Sequence, residues 1–192
     1  MLDQARQSAI RRTLRSTLEF VWEVLKVVIV VFAIIIPVRH YLVKPFYVRG
    51  ASMEPNFHDY EYLVVDELSY RLREPARGEV VVLKDPLDPS QYFIKRIIGL
   101  PGEHVVVRDG AVRINGKILD ESAYLEDSVR TTGRDDVTLQ TDEYYLLGDN
   151  RQASLDSRVF GPLDKSEFVG RTWIRAWPVS QLDVFEPLTY PE

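Results

Sequence analysis

The sequence predicts a mainly β domain with antiparallel sheet, carried behind one N-terminal transmembrane helix. Three observations predict it. The apolar segment "FVWEVLKVVIVVFAIIIPVRHYL", Phe20 to Leu42, would extend about 34 Å as a helix at ~1.5 Å per residue, which matches a hydrocarbon core of ~30 Å. The later apolar runs are short, rich in β-branched and aromatic residues, and bounded by Gly, Pro, Asn and Asp. After residue 50 no stretch has helical length.

The elements follow in chain order. Residues 1–17 form a short basic terminus, with Arg6, Arg11, Arg12 and Arg15 against Asp3, a local charge of +3. The whole chain of 192 residues carries −5, so the remainder sums to −8, and an acidic body argues against nucleic acid as the main partner. The membrane helix is placed at 18–42. Within it, Glu23 and Lys26 sit three apart on one face, positioned to pair or to snorkel to an interface. Trp22 and Tyr41 stand where interfacial aromatics belong. The uninterrupted apolar core, Val27 to Ile36, is short, and a buried or interfacial helix is the competing reading. No small-x-small site follows it, which argues against a cleaved signal. The leading arginines favour a cytoplasmic N-terminus by a small margin over Arg39, Lys44 and Arg49.

Residues 43–192 form the β-rich domain. Its strands are read at "YLVVDEL", "EVVVLKD", "YFIKRIIGL", "EHVVVRDG", "AVRING" and "EYYLLGDN". "RDGA" and "INGK" supply turn dipeptides, so Val105 to Leu119 should hold two successive hairpin turns. "LDKSEFVG" fits one short helical turn capped by Asp164. Residues 120–142, "DESAYLEDSVRTTGRDDVTLQTD", are polar and read as a small exposed excursion from the β core.

The chemistry narrows by elimination. Cysteine is absent, which excludes disulfides and thiolate metal sites. His40, His58 and His104 belong to no ligand pair, so no metal or other cofactor is expected. Ser52, in "VRGASMEPNF", is neither a nucleophile elbow nor part of an S-x-x-K motif. The histidines stay open as partners for it. A lysine is another. In "YFIKRIIG", Phe93, Lys95 and Ile97 share one strand face; Tyr92, Ile94, Arg96 and Ile98 share the other. Both faces are largely apolar, so the strand is buried, and burial lowers an ammonium's pKa until the amine can accept a serine proton. The competing reading of Lys95 is a strand-edge residue with its head in water. "GDNRQASLDSRVFGPL", Gly148 to Leu163, gathers polar groups after a buried strand; the competing reading is a solvated Asx-rich loop.

Together the three segments resemble the type I signal peptidases, the Ser/Lys membrane serine proteases that remove signal peptides from exported proteins. The Ser-Met-x-Pro box matches Ser52, Met53 and Pro55. The lysine box matches Lys95, Arg96, Gly99, Pro101 and Gly102. The third box matches Gly148, Asp149, Asn150, Arg151, Ser154, Asp156, Ser157, Arg158 and Gly161. The resemblance covers the chain from about Leu18 onward, and three boxes in register are specific where one would not be. It implies a signal-peptidase type of β fold, Ser52 as nucleophile and Lys95 as general base, with Ser154 orienting Lys95. It implies the Ser52 backbone N–H as oxyanion donor, because Gly50 stands where some members place a second, hydroxyl donor. It implies a substrate groove of Phe46, Val48, Met53, Phe57, Phe93 and Ile94. Gly50 and Pro55 would fix the backbone at Ser52, and Arg96, Asp149, Asp156 and Arg158 would be structural ion pairs.

The expected partners are preproteins bearing signal peptides and the lipid bilayer, with neither nucleic acid nor metal. The expected location is the cell membrane, single-pass, with the catalytic domain on the outer face. Three rivals stand beside this reading: a self-cleaving repressor-type Ser/Lys protease, an inactive membrane-anchored β module that binds partners, and an organellar version of the same enzyme.

Overall fold

The computed structural model describes residues 2–41, 43–188 and 190, with side chains for 17–36, 44–188 and 190. The chain divides into two compact units, residues 1–42 and 43–192.

The first unit is one helix, α1 (Leu2–Tyr41), of 40 residues. The basic leader, read as a separate terminus, belongs to this helix from Leu2 on. The side chains of Arg6, Arg11, Arg12 and Arg15 lie outside the described residues, as do those of Arg39, His40 and Tyr41, and Leu42 as a whole. From Leu18 to Ile36 the large apolar side chains stand exposed, Phe20 by 69% and Ile29 by 56%. Glu23 and Lys26 pair at 2.6 Å. Among the described residues no helix is long and apolar enough to cross a membrane.

The second unit is built of antiparallel strands. In chain order they are β1 (Val43–Tyr47), β2 (Tyr62–Asp66), β3 (Val80–Lys84), β4 (Tyr92–Gly99), β5 (His104–Arg108), β6 (Ala111–Ile114), β7 (Lys117–Ile118), β8 (Asp135–Thr138), β9 (Glu143–Leu147), β10 (Leu163–Asp164), β11 (Phe168–Trp177) and β12 (Asp183–Val184). Short helices α2 (Ser69–Leu72) and α3 (Ser157–Phe160) punctuate them. Eight strands form the larger sheet, in the order β1-β2-β11-β3-β4-β9-β10, with β12 also paired to β11. The smaller sheet runs β7-β6-β5-β8.

The turn chemistry shows why the hairpins fall where they do. Asp109 and Gly110 have φ of 56° and 79°, Asn115 and Gly116 of 50° and 81°. Positive φ at both central residues gives the turn whose twist matches the flanking strands, and Asp-Gly and Asn-Gly tolerate it best. Asp164 accepts from Ser166 N and caps a short 3₁₀ turn, Lys165–Glu167.

β4 lies at the centre of the fold. Ile97 packs with Val81, Leu83, Tyr144 and Leu146, while Ile98 packs on the other side with Val105, Val107, Tyr145 and Leu147. Both faces are covered, as the unbroken apolar run requires.

Two sequence readings are corrected here. Residues 120–142 are not simply an exposed excursion. They contain β8, which pairs with β5, and they bury Tyr124, Leu125, Thr131 and Leu139. Tyr124, Leu125 and Leu139 join the apolar cluster of Ile98, Val105, Val107, Tyr145 and Leu147, and the Arg96 guanidinium sits 4.2 Å from the centre of the Tyr124 ring. β11, the longest strand at ten residues, is missing from the sequence reading altogether. Its pairing with β2 and β3 shifts register between Phe168 and Gly170, Thr172 and Ile174, and Arg175 and Trp177, so no clean alternation marks it.

Candidate active site

Ser52 sits in the loop joining β1 to β2. Gly50 at φ +90° starts it, a backbone conformation that strains any side chain. Its N–H donates to Asp59 Oδ1 at 3.0 Å. Val48 and Glu61 close the loop, with Val48 N donating to Glu61 O at 2.9 Å. Met53 and Phe57 plunge from it into a cluster with Val48, Leu63 and Val80. Burying each of these large side chains contributes ~1.5–3 kcal/mol, so the loop is anchored immediately after Ser52. The Glu54–Pro55 peptide is cis.

Lys95 comes from β4, opposite Val81 of β3, and is 2% exposed. Its Nζ lies 2.9 Å from Ser52 Oγ and donates to Ile94 O at 2.8 Å. Burial pushes its pKa down to about 8, against the pull of Asp156, Asp149 and Asp85. The arrangement places an amine that is easily neutral beside a hydroxyl. Such a pair can take the proton from the serine as its oxygen attacks a carbonyl.

The segment after β9 binds both elements. Asn150 N donates to Ser52 O and Asn150 Nδ2 to Ala51 O, each at 3.0 Å. Asp149 N points at Met53 Sδ. The buried Asp149 carboxylate takes a forked pair of bonds from Arg96 Nε and Nη2, at 2.8 and 2.5 Å. Asp156 is fully buried, and Arg158 and the Gly148 N–H hold its carboxyl below its ordinary value although burial alone would raise it. The four expected ion-pair residues therefore resolve into Arg96–Asp149 and Asp156–Arg158.

Beside Ser52 and Lys95 opens a groove of about 470 Å³. Of the expected lining, Phe46, Val48, Phe93 and Ile94 face it, and Leu63 and Val82 join them. Its edges have hydrogen bonds to give: β1 ends the larger sheet, and β4 pairs with β9 only from Arg96 onward. Extended peptides add to edges of this kind.

Two expectations are corrected. Met53 and Phe57, each 1% exposed, lie beneath the groove as loop anchors and not on its surface. Ser154 makes no hydrogen bond to Lys95; its Oγ is buried without a hydrogen-bonding partner, although it lies near enough to Asp156 to help lower that carboxyl. The close packing of Ser154 on Gly148 explains this, since a Cβ there would meet Ser154 Oγ at 2.1 Å. The histidines engage carboxylates elsewhere, His58 with Glu61 at 3.5 Å and His104 with Asp136 at 2.7 Å. The Ser52 N–H, the expected oxyanion donor, has no acceptor among the described residues.

Sequence reading missed Asn56. Its Nδ2 donates to Tyr124 O and to Asp149 Oδ2, both at 2.8 Å, tying the Ser52 loop to two other segments. Asn150 was visible within its box but carried no role there. An asparagine's partners come from distant segments, and no spacing rule reveals them.

Known proteins resemble this chain along most of its length. The profile of a family described as "Signal peptidase, peptidase S26" matches residues 21–177. A probable signal peptidase I-2 of Synechocystis sp. is 38% identical over 162 residues, covering 82% of this chain and 73% of that protein. Signal peptidase I of Leptolyngbya laminosa is 35% identical over 158 residues, covering 78% and 76%. Signal peptidase IB of Staphylococcus aureus is 31% identical over 169 residues, covering 79% and 87%. A solved signal peptidase I from Enterococcus faecalis aligns with 52% of this chain and 97% of its own, at 31% identity and a TM-score of 0.44. With its family match running from α1 to the end of β11, the chain belongs to the signal peptidases of peptidase family S26.

Proposed function

We propose that this peptidase is a membrane-bound serine endopeptidase that cleaves N-terminal signal peptides from exported preproteins, with Ser52 as nucleophile and Lys95 as general base. The contact that carries the reading is Lys95 Nζ at 2.9 Å from Ser52 Oγ, with the lysine buried at the end of an apolar groove. Neutral Lys95 takes the Ser52 proton while Oγ adds to the scissile carbonyl. The resulting ammonium protonates the leaving amine, and Lys95, neutral again, then takes a proton from the attacking water and returns it to Ser52 Oγ as the acyl group leaves. The Ser52 N–H stabilises the oxyanion. Asn150 holds the carbonyls of Ala51 and Ser52 and so sets the direction of that N–H.

We place α1 in the bilayer as a single-pass anchor, with its N-terminus cytoplasmic and the β domain outside. The support is its run of exposed large apolar side chains from Leu18 to Ile36, where the Glu23–Lys26 pair offsets two charges. A substrate tethered by its own apolar segment then meets the site near the membrane surface.

The test is incubation of the detergent-solubilised protein with a preprotein, followed by N-terminal sequencing of the product. A single mature N-terminus is expected. Absence of cleavage, or cleavage undiminished by Ser52→Ala, overturns the reading.

A further inference from the structure

β11 supplies a side chain that belongs to none of the three sequence boxes. Arg175 stands at an irregularity in the β11–β2 pairing, where the register shifts before Trp177, and such bulges re-aim side chains. Its Nη2 donates to Asn56 O at 2.6 Å. Its Nε lies 3.2 Å from Glu61 Oε2. Its guanidinium lies to one side of the paired Phe57 and Phe185 rings, 5.4 and 5.2 Å from the two ring centres. Those rings lie 4.8 Å apart.

These partners share one purpose in the chain. Asn56 lies in the middle of the Ser52 loop, and Glu61 closes the loop by accepting the Val48 N–H. Phe57 is one of the loop's two core anchors. One cation therefore grips the loop at its middle, at its anchor and at its end. The Glu61 side chain is 2% exposed; among the described residues Arg175 lies 3.2 Å from one of its oxygens and the half-exposed His58 ring 3.5 Å from the other. A buried carboxylate demands a cation, so Glu61 keeps Arg175 in place. Phe185 pairs with Phe57 from the segment beyond the residues matched by the family, 21–177, and is itself tied to β11 by Phe185 N donating to Trp173 O at 2.8 Å. The geometry calls for a guanidinium: its spread charge lies against two neighbouring rings and beside Glu61 while Nη2 reaches Asn56 O, a span that the compact head of an ammonium does not cover.

We infer that Arg175 is a positioning residue that fixes the Ser52 loop so that Ser52 Oγ stays aligned with Lys95 Nζ. The inference rests on the Ser52/Lys95 reading above. It predicts that Arg175→Lys lowers kcat and leaves substrate affinity and the lysine's titration alone. A misplacement of ~1 Å can cost ~100-fold in rate.

The test compares the parent with Arg175→Lys, with the double variant Glu61→Gln/Arg175→Met, and with Ser52→Ala. The double variant leaves no uncompensated buried charge. Cleavage of a preprotein is followed at steady state, and each rate is divided by the folded fraction measured by circular dichroism at the assay temperature. The expected result is a fall of about 10- to 100-fold in kcat per folded molecule, with KM within about twofold and an unmoved midpoint of the pH–rate profile. Unchanged kcat per folded molecule overturns the inference, because the loss is then one of stability alone. A shifted midpoint also overturns it, because Arg175 then acts on the charge of Lys95. Should the double variant fail to fold, Arg175→Lys decides. Inactive Ser52→Ala beside fully active Arg175 variants refutes the positioning role only; active Ser52→Ala removes the nucleophile reading and this inference with it.

Discussion

An ammonium taken out of water loses hydration and releases its proton more readily. Lys95 shows the consequence: burial outweighs three carboxylates and brings its pKa to about 8. Turnover should therefore rise with pH through about 8 and then level, as the neutral base accumulates; a profile flat from mildly acidic to alkaline pH would contradict this. Ser52→Ala and Lys95→Ala should each abolish cleavage. Because the two act as a unit, the double variant should be little worse than either. The same burial affects stability. An unfolded Lys95 would titrate near the ordinary lysine value of 10.5, so between about 8 and 10.5 the unfolded chain binds more protons and stability rises with pH. Below about 8 the folded state carries the full cost of a buried ammonium. Lys95→Met should consequently be more stable than the parent at neutral pH by about 0.5–2 kcal/mol, and the difference should shrink from pH 8 to 10.5. Urea unfolding across that range measures it.

Ser52 and Lys95 meet because an irregular loop and a buried strand are stapled together by the segment after β9. That segment approaches so closely that it has room only for glycine at its start. A Cβ on Gly148 would meet Ser154 Oγ at 2.1 Å and the backbone oxygen of Ser52 at 2.5 Å. Ser154 can rotate, but the Ser52 carbonyl is held by Asn150 N at 3.0 Å. Gly148→Ala should push the Ser52 loop away from Lys95 and reduce kcat by ~100-fold, at a stability cost of ~1–3 kcal/mol. Kinetics beside thermal unfolding separate the two effects, and parent-like kcat in the folded variant would show that the staple is not needed.

The molecule as a whole presents an apolar groove with free strand edges and a helix covered in exposed apolar side chains. A peptide lying along such an edge points alternate side chains at the groove. The first and third residues before the cut should face Phe46, Val48, Leu63, Phe93 and Ile94 together, and these bulky residues leave shallow pockets. In a preprotein series with Ala, Ser, Val, Leu and Phe at each position, Ala and Ser should be cut best. Efficient cutting after Leu or Phe at the first position would contradict this account of the groove. The anchor carries its own expectation. Protease added outside spheroplasts should digest the β domain and spare a tag at residue 1, and the opposite pattern would exclude the proposed orientation.

Local chemistry was open to reading along the chain. Asp109-Gly110 and Asn115-Gly116 mark their turns because positive φ is a property of those residues themselves. The apolar run around Lys95 announces a strand covered on both faces, and burial of its amine follows from that. The three boxes pointed to Ser52 and Lys95, 43 positions apart, as residues that belong together. The chain alone did not reveal β11, whose register shifts erase its alternation, or the contact of Arg96 with the buried Tyr124. It also did not show that Met53 and Phe57 anchor the loop from below, that Ser154 leaves Lys95 to Ser52 and Ile94, or that Arg175 reaches Asn56. Alternation and turn preference act between neighbours in sequence, so they can be read there. Which face of a loop is buried, and which side chain a distant donor finds, depends on how strands pair and stack, and that exists only once the chain has folded.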